Sequence, residues 1–156
     1  DLSPFYALAR PDKAMAELVE EFYGLHLPHT ATVFEALMLA VVGQQISTSV
    51  ARIIRTLLIE TFGLSAEHDG ETYYAFPRPE SIWASSPDEL RTKKLTQRKA
   101  EYLHSLAGST LDTSVGLEIL DQLSDAEIVA KLVSLRGVGL WTAQWVLIRK
   151  EEISLQ

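Results

Sequence analysis

Cysteine and asparagine are both missing from the sequence. The first absence excludes a disulfide framework, a thiolate zinc site, a cysteine nucleophile and a cysteine-ligated iron–sulfur cluster. The second leaves no N-glycosylation acceptor. Positive charge is scarce: 14 Lys and Arg stand against 21 Asp and Glu, a formal net charge of −7. Bulk electrostatics therefore do not drive this chain onto nucleic acid, and any phosphate contact must come from a local basic patch or from the backbone. No apolar run approaches the length of a membrane span, and no signal peptide is visible. The expectation is a cytoplasmic protein, or a nuclear one in a eukaryote, without membrane contact. What is there is a chain of 156 residues, 47% of them hydrophobic, enough for a sizeable core. It starts at Asp1 and stops abruptly at Gln156, which reads as a piece of a longer protein.

The dominant period is helical, with no convincing alternating strand. Met15, Leu18, Val19, Phe22 and Tyr23 recur at helical spacing between Asp12 and Gly24. Residues 32–43 are nearly all apolar, as in a helix buried on every side. After the corner Gly43-Gln44-Gln45-Ile46-Ser47, a second helix carries Val50, Ile53, Ile54, Leu57, Leu58 and Phe62 on one face and closes at Gly63. Residues 64–80, with Gly70, Pro77 and Pro79, read as a loop. Ser86-Pro87-Asp88-Glu89 is a compact helix start. Thr96 caps a helix bearing Ala100, Leu103, Leu106 and Ala107, closed by Gly108. Ser124-Asp125-Ala126-Glu127 is a capping box for a helix bearing Ile128, Val129, Leu132, Val133 and Leu135. A last helix starts at about Gly139 and carries Leu140, Trp141, Ala143, Val146 and Leu147. The fold class is all-α.

The stretch with chemical content lies between the last two helices. In Leu135-Arg136-Gly137-Val138-Gly139, two glycines let the backbone turn sharply while Val138 plugs the gap between helices. The bare N–H groups around Gly137 and Gly139 stand at a helix N-terminus, where the dipole favours an anion. Such a phosphate hook needs no Lys or Arg. Taken alone, the same glycines read equally as an ordinary interhelical turn. Trp141 and Trp145, at i and i+4, are a core pair or the wall of a pocket. Arg91, Lys93, Lys94, Arg98 and Lys99 are a solvated face or a phosphate-contacting edge. His26 and His29 flank Pro28 and lack a convincing third ligand, so they read as loop residues rather than a metal site.

The run Leu135-Arg136-Gly137-Val138-Gly139-Leu140-Trp141-Thr142-Ala143-Gln144-Trp145 resembles the helix-hairpin-helix of the HhH-GPD superfamily of DNA base-excision glycosylases. Gly43-Gln44-Gln45-Ile46-Ser47, Tyr74-Ala75-Phe76-Pro77 and Leu95-Thr96-Gln97-Arg98-Lys99-Ala100 resemble further signatures, in the family's order. The 3-methyladenine DNA glycosylase II branch is the most similar. The resemblance implies one helical HhH-GPD domain over residues 1–156, with its C-terminal part missing and the helix-hairpin-helix at about 124–150. It implies an enzyme that flips an alkylated purine from double-stranded DNA and hydrolyses its N-glycosidic bond. On that reading Trp141 and Trp145 line the base pocket, their indole faces attracting a base made cationic by alkylation. Gln45 fills the gap left in the duplex, where the bland alternative is a polar break capping a helix end. Gly137, Gly139, Leu140 and Thr142 hold a DNA phosphate through the backbone. Main-chain carbonyls of Val133, Leu135 and Val138 bind a monovalent cation, Na or K, and no other cofactor is expected. A monomer is the family default.

Three further points follow from the resemblance. Lyase-competent relatives place a Schiff-base Lys where Trp141 stands, so the implied enzyme is monofunctional. Leu39 stands where relatives often carry a basic residue. The family's catalytic Asp lies in a Pro-rich stretch past the last helix and is expected beyond Gln156; Glu151 and Glu152 are too close to the hairpin to match it. The chain as it stands is expected to hold the binding apparatus without the catalytic carboxylate, and to be inactive alone. The rival readings are a non-catalytic helix-hairpin-helix module that binds damaged DNA, and a helical interaction domain whose hairpin is only structural.

Overall fold

Six helices begin where a Ser, Thr or Asp side chain accepts a backbone N–H of the first turn. The computed structural model describes residues 2–25 and 28–150. Its elements are α1 (Ser3–Ala9), α2 (Lys13–Glu21), α3 (Val33–Gly43), α4 (Thr48–Phe62), β1 (Ser65–His68), β2 (Glu71–Tyr74), α5 (Pro79–Ala84), α6 (Pro87–Arg91), α7 (Gln97–Leu111), a 3-10 turn (Leu117–Gln122), α8 (Asp125–Val133) and α9 (Leu140–Lys150). The fold is all-α apart from one small ribbon. Among the described residues no helix is long and apolar enough to cross a membrane.

The axis is α3. Phe34, Ala36, Leu37, Met38, Ala40, Val41 and Val42 are buried, because α4, α7 and α9 pack around it. Each large apolar side chain removed from water there contributes about 1.5–3 kcal/mol, which is why a helix apolar on all sides takes the centre. Leu103, Leu106 and Ala107 of α7 and Ala143 and Val146 of α9 complete this core.

Several local expectations need correction. The 64–80 segment is not all loop: β1 and β2 pair antiparallel, Ser65 opposite Tyr74. They turn at Asp69-Gly70 with φ of 51° and 78°, the left-handed pair that a two-residue hairpin requires. Both strands are exposed throughout, so they carry no apolar alternation. Gly108 does not close α7, which runs on to Leu111. Its missing Cβ makes room for the Trp83 ring, which a Cβ would approach to 2.6 Å. Helix α2 ends at Glu21, short of Gly24, and Leu18, Phe22 and Tyr23 of its stripe are exposed. Helix α1 lies against it, with Tyr6 stacked on Tyr23 at 4.8 Å and the Tyr6 hydroxyl accepting the Gly24 N–H. On α4, Ile54 and Leu58 are buried while Val50 and Ile53 are exposed, because α3 covers one side of that helix.

Candidate nucleic-acid interface

Helix α8 opens with the Ser124 capping box: the Glu127 carboxylate accepts the Ser124 N–H at 2.9 Å and its hydroxyl as well. Those bonds hold the Glu127 carboxyl below the usual glutamate range. After α8 the chain tightens. Leu135 N–H donates to Leu132 O and Val138 N–H to Leu135 O, each at 3.1 Å. Gly137 turns at φ 89°, and a Cβ there would meet Cγ and Cδ2 of Tyr102 at 2.5 Å. Conformation and contact therefore both demand glycine. Val138 is buried as the plug.

Gly139 differs. Its φ is not positive, and nothing stands within 4 Å of a Cβ built on it. It precedes α9, whose first bond is Ala143 N–H to Gly139 O at 2.9 Å. The N–H groups of Leu140, Trp141 and Thr142 therefore have no acceptor within their helix, at the positive end of its dipole.

The Gln-Gln corner is tied to this hairpin. Gln44 Nε2 donates to Gly137 O at 3.1 Å and to Thr142 Oγ1 at 3.4 Å. Lys99 Nζ donates to Val42 O at 2.8 Å and Gln44 O at 2.6 Å, carbonyls at the negative end of α3. Burial lowers the Lys99 pKa from its ordinary value. Lys99 is thus a brace of the corner rather than part of a freely solvated face. Between these ties Gln45 stands exposed at the tip with φ 57°, a conformation that disfavours a non-glycine residue by about 1–2 kcal/mol.

Gln45, Gly137 and Trp141 line one cleft of about 610 Å³, together with Arg98, Lys99 and Tyr102. Trp145 lines a second, of about 440 Å³, with His29, Leu39, Val42 and Arg55. Gly43 and Ile46 border both. The two tryptophans are therefore separated: Trp141 is 65% exposed, while Trp145 is half-buried against the core. Leu140 is exposed, and the Thr142 side chain is buried toward Gln44, leaving only its backbone for a ligand. Tyr102, Arg136 and Arg55 join the site only in the fold. Arg98 and Tyr102 had a signal in their i, i+4 spacing; nothing in the sequence joins Arg136 to them.

Of the carbonyls expected to hold a cation, Val133 ends α8, and Leu135 O accepts the Val138 N–H, leaving its second lone pair. Among the described residues no group of three or more His, Asp or Glu gathers to hold a metal ion. Glu35 is the one carboxylate among the described lining residues of the two clefts, and it accepts the Ala31 N–H at 3.1 Å. His26, Glu151 and Glu152 lie outside the described residues.

Known proteins are similar to this chain in sequence and in fold. A DNA-3-methyladenine glycosylase of Bacillus subtilis strain 168 is 35% identical over 149 residues, covering 96% of this chain and 49% of the relative. DNA-3-methyladenine glycosylase 2 of Escherichia coli K12 is 28% identical over 126 residues, covering 81% and 44%. The solved 3-methyladenine DNA glycosylase from Archaeoglobus fulgidus matches with a TM-score of 0.81 at 31% identity, over 94% of this chain and 50% of that one. The chain spans about half the length of these relatives. The family model described as HhH-GPD superfamily base excision DNA repair protein matches residues 38–144, from α3 through the corner and α7 into α9. The chain belongs to the HhH-GPD superfamily of base-excision DNA repair proteins.

Proposed function

We propose that the protein is a monofunctional DNA glycosylase that hydrolyses the N-glycosidic bond of alkylated purines, of the 3-methyladenine type, flipped out of double-stranded DNA. The observation that carries this reading is the convergence of Gln45, Gly137 and Trp141 on one cleft beside the open N-terminus of α9. A DNA phosphate approaches over the bare face of Gly139 and accepts from the N–H groups of Leu140 to Thr142, so the net charge of −7 is no obstacle. Gln45 fills the gap left by the flipped base, and its amide is able to hydrogen-bond the widowed partner. Trp141 and Trp145 supply indole faces on the two clefts that meet at the corner, and such faces attract a cationic base.

Trp141 supplies no amine for a Schiff base, so water is the nucleophile. Glu35 is engaged in capping, and the carboxylate that stabilises positive charge on the sugar is assigned to no described residue. Main-chain oxygens of Val133, Leu135 and Val138 would hold a sodium or potassium ion, which would stiffen the hairpin, and the protein acts as a monomer. Similarity to the B. subtilis and E. coli glycosylases supports the substrate class. The test is base release from methylated duplex DNA by the protein's whole natural chain. Free 3-methyladenine with an intact sugar–phosphate backbone is expected. A borohydride-trapped protein–DNA adduct would overturn the monofunctional reading. Damage-selective binding without release would replace the hydrolase with a binding module.

A further inference from the structure

We propose that the Arg98 guanidinium, hydrogen-bonded to the Tyr102 hydroxyl beside the hairpin, takes a second backbone phosphate of the bound DNA strand. This rests on the DNA-binding reading above and adds a side-chain contact to a site built from backbone.

The argument starts from which cations are already engaged. Lys99 is spent on two carbonyls of the corner. Arg136 pairs with Glu101 at 2.9 Å, and Arg91 with Asp88 at 3.3 Å. Lys93 lies over the Phe62 ring, 6.0 Å from its centroid. Arg98 is exposed, and among the described residues no carboxylate comes within ion-pair distance of it. Arg98 therefore brings to this cleft a positive charge that no described carboxylate neutralises.

Its position is also set. Arg98 Nε donates to the Tyr102 hydroxyl at 2.5 Å, and its guanidinium carbon lies 5.6 Å from the ring centroid. The Arg136 guanidinium sits 5.7 Å from the same centroid, and the ring abuts Gly137 so closely that a Cβ would clash. Tyr102 thereby references Arg98 to the turn that presents the α9 N–H groups. With Nε engaged, the two terminal nitrogens keep donors for a ligand, and their planar fork matches phosphate oxygens bidentately. The paired Arg136 supports the ring, while the unpaired Arg98 meets the strand.

The test is equilibrium binding of the whole chain to duplex DNA carrying an abasic site, measured across salt concentrations. For Arg98→Gln the slope of log K against log salt is expected to fall by about one unit. Affinity at low salt should drop about threefold to tenfold, equally on damaged and undamaged duplex. The melting temperature should not change, since the side chain is exposed, and Arg98→Lys should restore the slope. A slope for Arg98→Gln equal to wild type, or one that Arg98→Lys fails to restore, would overturn the proposal while leaving the DNA-binding reading intact. Absence of duplex binding by the wild-type protein would overturn both.

Discussion

The hairpin turn at Gly137 and the corner at Gln45 both hold a residue at positive φ, 89° and 57° respectively, and both face the same cleft. At Gly137 the structure leaves no choice, since the left-handed conformation and the Tyr102 ring each exclude a side chain. At Gln45 glycine would adopt the backbone with less strain, yet a long polar side chain stands there, exposed at the tip. One turn is shaped by what it must fit against. The other follows the C-cap of α3, where a left-handed residue commonly closes a helix, and its side chain is left exposed. The difference teaches that a positive φ alone does not mark function, since Asp69 and Lys94 adopt it as well, at 51° and 66°.

That contrast can be broken or sharpened by mutation. Gly137→Ala carries the largest expected effect, a loss of about 2–4 kcal/mol from the left-handed penalty plus the clash with Tyr102. Urea unfolding reads it, and a loss well under this range would show that the turn rearranges freely. Next comes Lys99→Met, which strips two carbonyls of a charged donor and should lower stability by about 1.5–3 kcal/mol. Duplex affinity should fall with it, because the Gln44 carbonyl that anchors the corner is released. Gln45→Gly should raise stability by up to about 1 kcal/mol as the strain is relieved, while affinity for abasic duplex drops. If neither quantity moves in that direction, Gln45 is merely a helix end. The smallest stability effect belongs to Gly139→Ala, within about 0.5 kcal/mol because its surroundings are open. Its DNA affinity should nonetheless fall, and an unchanged affinity would remove the phosphate from that face.

Much of this was legible in the residues. The Ser124 capping box, the Ser86 and Thr96 caps and the apolar α3 stretch are local patterns, and each appears as read. The hairpin was legible because two glycines around one apolar plug admit few backbone paths; only Gly137 uses the left-handed region. The β1–β2 ribbon escaped because its exposed strands bear no alternation, although Asp69-Gly70 was a turn signal. Gly108 is not a stop but a point of close approach, the two meanings that a glycine late in a helix carries in sequence. The Trp83 ring that decides between them comes from α5, well upstream in the chain.

Local chemistry written along the chain was therefore enough for the helical class, the caps, the buried central helix and the glycine turn between α8 and α9. These depend on neighbours within a turn or two, whose physics is the same in any fold. Three-dimensional packing settled the rest. Gln44 and Lys99 reach partners between 55 and 98 positions away. The i, i+4 tryptophans fall into different clefts because the corner rises between them. The Arg98–Tyr102–Arg136 cluster forms only where α7 meets the turn. Such contacts follow from how α3, α7 and α9 bury their apolar faces together, and no periodicity in the sequence records that geometry.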